Sequence, residues 1–423
     1  MFYVDDFLLT PDELSIKNLA KRTVKGVPAD LIRSMEAETV RFPKEFIEIG
    51  ARSNLLGLRF PVRYGGRGAS WVADMAAVEQ MGYLGFTLSC MYSLGTIVGE
   101  PINKFGTEDQ KEKYLRGITS GNLYGAEAIT EPSGGSDLFG MMKTTAVRKG
   151  RSFILNGQKR FIVGGLGADF FVTYALSDPS VQNRTKGISA FIVDRNTPGL
   201  KVETMYGLMG NKGGGTARIV FRDALIPEEN LIGELNGGYD IFNAMMIPER
   251  LTTSSGSIGV GMAALEIAAS YALRRKAFGS KLIDHEGVSF KIAESLTALS
   301  GSAALVYEAC RASEALEAGK IPMSYARKLI SMAKLNSTEA MWEAVNSSMQ
   351  IMGGIGYTTI YPIERLLRDA RLGLIWTGSS EVMKMIIQHE FVREISRQDY
   401  WIDRRVVEQD ALDFKLVEEK VYE

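Results

Sequence analysis

Cysteine and histidine are scarce in this chain of 423 residues, with two of each. Cys90 and Cys310 are too few for the disulfide framework that holds small secreted domains together. His285 and His389 stand in neither an HExxH nor a CxxC setting, so no metal site is expected. An excess of one charge is also missing. The 49 Lys and Arg balance 50 Asp and Glu to a net charge of −1, and no basic stripe favours nucleic acid or an anionic membrane. No apolar run is long enough to span a bilayer. The first ten residues carry Asp5 and Asp6 and match neither a secretory leader nor an Arg-rich transit peptide. The expected location is the cytoplasm.

What is present is an ordinary globular composition, 45% hydrophobic and 23% charged, in a chain long enough for two to three packed domains. Three stretches differ in periodicity. Residues 1–120 read as a helical domain, with apolar residues at three- and four-residue spacings from Trp71 to Gln80 and from Gln110 to Ile118. Thr107 is the expected N-cap of the helix that begins at Glu108. Residues 121–235 change to the period of strands: Thr144–Val147, Ser152–Leu155, Phe170–Ala175, Ile188–Val193 and Ala217–Phe221. Asn156-Gly157 is a hairpin-turn signal between Ser152–Leu155 and Gln158–Ile162. Short strands without intervening helices predict a small antiparallel sheet or barrel. Residues 236–395 are helical again, through Gly259–Lys276, Ser289–Ala318, Ser324–Met349 and Glu381–Ile395, as in a bundle. A charged tail, 396–423, carries no strong motif.

Several segments carry possible chemistry. Tyr124–Asp137 (YGAEAITEPSGGSD) is a strand entering a loop whose Ser133-Gly134-Gly135-Ser136 exposes backbone N–H groups to an anion or a polar ring edge. Taken alone, it is more often a Gly-rich connection. Gly256–Gly261 (GSIGVG) follows no strand, which excludes a dinucleotide fingerprint. Its small residues allow close approach to a neighbour. Arg274–Gly279 (RRKAFG) offers arginines for a pyrophosphate, or a charge cluster that satisfies a helix C-terminus.

In this order and spacing, FGTEDQKEKYL (105–115), ITEPSGGSD (129–137), NGQKRFIVGG (156–165), RRKAFG (274–279), QIMGGIGY (350–357) and RDARLGLIWTGSSEV (368–382) resemble the acyl-CoA dehydrogenase family. The resemblance covers residues 10 to 395. It implies a mainly α protein with a middle β-barrel, between an N-terminal helical domain and a C-terminal four-helix bundle, assembled as a homotetramer. It implies FAD as cofactor, acyl-CoA as substrate, a 2,3-enoyl-CoA product and an electron-transfer flavoprotein as acceptor. Ile129, Thr130, Gly135 and Ser136 would line the flavin and nearby phosphates, with Phe161 and Val163 on the opposite strand. Arg275, Phe278, Gln350 and Gly354 would hold the pyrophosphate and adenosine across a subunit boundary, and Ser379 and Glu381 would meet the adenosine part. Cys90, Met91, Tyr92 and Trp376 would line the acyl pocket, where bulky Trp376 favours a short, branched or cyclic acyl group.

The sequence departs from the family pattern twice. Thr377 stands where many members carry a catalytic glutamate, and a hydroxyl cannot replace that base. Ile247-Pro248-Glu249-Arg250 resembles the branch of isovaleryl- and long-chain acyl-CoA dehydrogenases, which carry the base just before an arginine at the start of the bundle. Glu249 is thus the expected base, Arg250 its charged neighbour, and the Thr377 N–H the contact for the thioester carbonyl. Val163 replaces a threonine whose hydroxyl reaches the flavin, which bears on potential or electron acceptor. Related chemistries of the same fold are an enoyl-CoA reductase, an oxidase, a flavin monooxygenase or a non-catalytic homologue.

Overall fold

The structure, a computed structural model, describes residues 6–204 and 207–397. The tail read at 396–423 lies almost wholly outside the described residues. Helices α1 (Pro11–Lys25), α2 (Ala29–Glu36), α3 (Lys44–Arg52), α4 (Trp71–Gly82) and α5 (Phe86–Phe105) form the first domain. Local chemistry sets their starts: Thr10 and Glu13 form a capping box on α1, and Ser70 accepts from Ala73 N ahead of α4. Thr107 caps α6 (Glu108–Gln110) as expected, in a capping box with Gln110. The helix continues through one π-helical segment into α7 (Arg116–Thr119). Every residue of α4 is buried, because other helices cover it on all sides.

The middle domain is one eight-stranded sheet: β1 (Gly125–Ala128), β2 (Thr145–Lys149), β3 (Ser152–Ile162), β4 (Phe170–Leu176), β5 (Ile188–Asp194), β6 (Leu200–Thr204), β7 (Ala217–Pro227) and β8 (Leu231–Ile232). The order is β6-β7-β3-β2-β4-β5-β8, with β1 parallel to β4. All seven residues of β4 are buried, as a strand covered on both faces requires.

The hairpin expected at Asn156-Gly157 is corrected. β3 runs unbroken through both residues, and the pairing with β7 shifts register there, which is a bulge. The Asn156 amide explains the difference. It donates to Asp223 Oδ1 at 3.0 Å and accepts from Asp223 N at 2.8 Å, holding the two strands together. The turn that folds β2 onto β3 falls instead at Gly150, where φ is +61°.

The third domain holds α8 (Gly238–Ala272), the hairpin β9 (Lys276–Ala277) and β10 (Ser280–Lys281), then α9 (Glu286–Glu317), α10 (Met323–Met352), α11 (Ile363–Gly373) and α12 (Ser380–Ser396). α10 packs on α8, α9 and α12. The amphipathic segment Gly259–Lys276 is the second half of α8, which starts at Gly238, where the chain was expected to turn helical again, and passes through Pro248. Its small residues do permit close approach. A Cβ at Gly259 would lie 1.9 Å from the Glu79 carbonyl oxygen of α4, and one at Gly256 2.2 Å from Ser89 Oγ of α5. Glycine is the one residue that fits those crossings.

Candidate active site

The sheet meets the bundle where β1 and β4 face the third turn of α8. Tyr174 Oη of β4 donates to Met245 Sδ at 3.4 Å, one helical turn before Glu249. Glu249 is 7% exposed, and its Oε2 is sealed without a hydrogen-bond partner. Burial raises its carboxyl to about 7, while a hydrogen bond from Glu127 and the charge of Arg250 pull the other way. The environment is that of a carboxylate poised to take a proton near neutral pH. Consecutive helical residues diverge by about 100°, so Arg250 points elsewhere. Its Nη1 donates to Ser331 Oγ at 3.3 Å, and it lines a cleft of about 480 Å³ with Tyr239, Phe242, Met246 and Arg327. The Nε atoms of Arg250 and Arg327 are both buried and unpartnered. Burial lowers Arg250 to about 10 against the opposing pull of Glu249.

The loop between α11 and α12 closes this region. Trp376 Nε1 donates to Thr253 Oγ1 at 2.7 Å, and the indole meets Phe86 edge-on at 6.1 Å. Thr377 holds φ at +55°, followed by Gly378 at +93°, and its Oγ1 is buried without a partner. The Thr377 N–H takes no backbone acceptor among the described residues. Lys334 of α10, fully buried, steadies the loop by donating to the carbonyls of Gly373 at 2.9 Å and Gly378 at 2.8 Å. Burial, then the charge of Arg250, lowers it to about 7.

Of the residues expected around the acyl group, Cys90 is buried, and burial, Asp369 and then Glu249 raise its thiol. Met91 presents its carbonyl to Tyr124 Oη at 2.9 Å inside the core. Tyr92 is corrected. Its hydroxyl donates to Leu55 O at 2.7 Å, on the side of α5 that packs into the first domain. Three successive helical positions do not share one face. Phe86 and Thr253, which contact Trp376, were missed, as were Glu127 and Lys334. The last two carried a signal, a lone charge inside an otherwise apolar or small-residue stretch.

The residues expected to hold a cofactor fall into two sets. Ile129, buried, and Thr130 follow β1, and the Thr130 carbonyl accepts from Arg160 N at 2.9 Å. That bond brings them beside Phe161 and Val163 at the end of β3. The loop with Gly135 and Ser136 is exposed. Ser379 caps α12, accepting from Val382 N, and Glu381 is exposed in its first turn. Arg275 and Phe278 sit beyond the far end of α8, and Gln350 and Gly354 at the far end of α10. The 23 residues from Glu249 to Ala272 rise about 35 Å along the helix. The second set faces outward: Phe278 is 99% exposed at φ +51°, in a turn braced by His285 Nε2 against Ala277 O at 3.1 Å.

Backbone strain singles out the same places. Among the described residues, eight non-glycine residues have positive φ, and four of these are Asn or Asp, which tolerate it. Of the other four, Glu38 at +56° lies in the turn after α2, and the remaining three are Phe161 at +60°, Phe278 and Thr377. Each of these three lies at a position expected to meet cofactor or substrate, and strain of this kind collects at ligand sites. The half-exposed Phe161 ring beside apolar Ile129 and Val163 suits a flat heterocycle.

The chain matches the families described as acyl-CoA dehydrogenase N-terminal domain over residues 10–122, middle domain over 126–224 and C-terminal domain over 236–391. An acyl-CoA dehydrogenase of Bacillus subtilis (strain 168) is 36% identical over 381 residues, 90% of this chain and 97% of its own. Acryloyl-CoA reductase (NADH) of Anaerotignum propionicum is 34% identical over 390 residues, 92% of this chain and 96% of that protein. The structure of butyryl-CoA dehydrogenase from Megasphaera elsdenii superposes with a TM-score of 0.84 at 29% identity, covering 93% of this chain and 100% of that one.

Proposed function

This chain belongs to the acyl-CoA dehydrogenase family, and we propose that its α,β-dehydrogenation of an acyl-CoA thioester uses Glu249 as the base. The enzyme is an FAD-dependent acyl-CoA dehydrogenase giving a 2,3-enoyl-CoA. The observation that carries the base assignment is a desolvated carboxyl at 249, raised to about 7, beside a loop that offers only a hydroxyl at 377. It supports assigning the chain to the branch that resembles isovaleryl- and long-chain acyl-CoA dehydrogenases.

FAD, when bound, supplies a two-electron acceptor that takes the β-hydride. The residues that fit it are Ile129, Thr130, Gly135, Ser136, Phe161 and Val163 from one subunit, with Ser379 and Glu381. Arg275, Phe278, Gln350 and Gly354 complete the site of another copy, as the resemblance to the family implies; their exposure beyond the ends of α8 and α10 supports this. That sharing supports a homotetramer and makes assembly a condition of cofactor binding.

The chain's own residues do the remaining work. Glu249 takes the α-proton at a carboxylate oxygen, in a pocket whose dryness keeps that oxygen basic. The Thr377 N–H, held by Lys334 and by the left-handed backbone, donates to the thioester oxygen as charge develops there. Arg250 and Arg327, each with an unpartnered Nε in one cleft, bind polar parts of the CoA arm. Trp376, Phe86 and Cys90 exclude water and bound the acyl group, and the indole wall favours a short, branched or cyclic one.

Anaerobic mixing of the FAD-loaded protein with a panel of acyl-CoA esters tests the function. Bleaching of the flavin band by one class of saturated ester, reversed by an electron-transfer flavoprotein, is the expected result. Bleaching by NADH and recovery with an enoyl-CoA would assign the reductase direction instead.

A further inference from the structure

The Glu249 carboxyl is not alone in its pocket. β1 is read as Gly125-Ala126-Glu127-Ala128, with Ala126 and Ala128 fully buried on one face. The other face carries Glu127, in line with Ile129 two residues on. That face looks at the third turn of α8, as the Tyr174–Met245 contact fixes: Glu127 pairs with Val172 of β4, two residues before Tyr174. The Glu127 and Glu249 carboxyls are within hydrogen-bonding contact. Yet Glu127 Oε1 and Glu249 Oε2 are each sealed from solvent and take a hydrogen bond from no N–H or O–H group.

Two ionised carboxylates are acceptors only, so such a contact between them is repulsive. Cations do not resolve it. Lys159 of β3 is the nearest to Glu127, but its Nζ is spent on Glu131 Oε1 at 2.8 Å and the Ile129 carbonyl at 3.1 Å. Arg250 of α8 turns into the other cleft. No metal-holding group of acidic, His or Cys side chains exists among the described residues. The remaining titratable neighbours are Tyr174 of β4, neutral at physiological pH because burial raises it well above its usual value, and the similarly raised Cys90 thiol of α5. A proton is the simplest bridge. Burial, then the Glu249 charge, pushes the Glu127 carboxyl well up from its ordinary value, which favours Glu127 as the one that carries it.

We propose that Glu127 is a positioning residue: as the neutral acid of a two-carboxyl, one-proton pair, it donates a hydrogen bond to the Glu249 carboxylate and holds it in line with the substrate α-carbon. The pair carries one negative charge into the dry pocket instead of two. When the α C–H bond breaks, its proton joins Glu249, the bonding electrons stay with the substrate, and both carboxyls become neutral. A second carboxyl from the sheet thus steadies a base that sits on the bundle helix. The proposal rests on the base reading for Glu249, and the test separates the two.

Single-turnover flavin reduction by substrate is followed against pH in FAD-loaded wild type, Glu127→Leu, Glu127→Gln and Glu249→Gln, with infrared difference spectra of the carboxyl region recorded well above the acidic limb of each protein, where Glu249 is ionised. Loss of a hydrogen bond to a charged group in Glu127→Leu shifts the acidic limb upward by about one to two pH units. Glu127→Gln keeps an N–H donor and brings the limb back toward wild type, a rescue that a merely space-filling role does not produce. Wild type shows a protonated-carboxyl band that both Glu127 variants lose and Glu249→Gln keeps. An unmoved limb in Glu127→Leu, or a band indifferent to Glu127, overturns the pair. Near-normal reduction in Glu249→Gln removes the base reading, while the infrared band still decides whether the two carboxyls share a proton.

Discussion

The Trp376 indole donates to the Thr253 hydroxyl at 2.7 Å, tying the loop after α11 to the turn of α8 that follows Glu249. Thr253 Oγ1 itself donates to the Glu249 carbonyl at 2.8 Å. Loop, helix and Glu249 are therefore one hydrogen-bonded unit. Thr253→Val keeps the shape and removes both bonds. One lost hydrogen bond is worth about 1 kcal/mol, so kcat/KM falls about five-fold. Thr253→Ser retains most of the activity. Equal kinetics in the valine and wild-type enzymes would show that the link is without consequence.

Glu249→Gln removes the proton acceptor and leaves volume and fold in place. Flavin reduction by substrate falls at least ~10²-fold, the typical contribution of a general base. The variant stays yellow and still binds acyl-CoA. Stopped-flow absorbance on the FAD-loaded protein reads both, and reduction at a near-normal rate removes Glu249 from the mechanism.

The same carboxyl sets a pH dependence. Its folded value near 7 lies above the ordinary 4.5, and the base must be ionised to act. Flavin reduction therefore rises with pH through about 7 and levels above it. Stability runs the other way. Between 4.5 and 7 the native state holds more protons at this group than the unfolded chain, so its contribution to stability declines as pH rises through that window. Denaturant melts of wild type and Glu249→Gln across pH 4.5 to 7 measure the slope that the variant loses.

Cofactor sharing predicts complementation. Arg275→Ala subunits alone bind FAD at least ~10-fold more weakly, because a charge-assisted, two-pronged contact to phosphate is lost. Glu249→Gln subunits alone are inactive. In co-expressed mixtures an intact Arg275 from a Glu249→Gln subunit completes the site of an Arg275→Ala neighbour, whose own Glu249 is present, and activity returns. Mixtures no more active than the separate variants place both halves of the site in one chain.

Gly259→Ala tests the helix crossing. A Cβ 1.9 Å from the Glu79 oxygen and 2.9 Å from Gly82 Cα forces α8 away from α4. Overpacking of this kind costs about 1–3 kcal/mol, and the thermal midpoint falls by several degrees. An unchanged melting temperature would mean that the two helices part without cost.

The sequence by itself determined what depends on neighbours along the chain. Thr107 capped its helix as expected, because the hydroxyl reaches an N–H three residues away and needs nothing distant. The switch from helical to strand periods located the three domains, and the small residues of 252–261 foretold a tight crossing. Motif spacing pointed to Glu249. Tertiary structure alone decided the rest. It turned Asn156-Gly157 from a hairpin into a bulge, since the competing interaction is with Asp223 on another strand. It turned the Tyr92 hydroxyl toward Leu55 and left Cys90 near Glu249, a choice made by helix rotation against the first domain. It also set Glu127 against Glu249. Local pattern records propensity and which face is apolar, whereas a contact between residues far apart in sequence depends on how a strand and a helix are packed, and no local pattern encodes that.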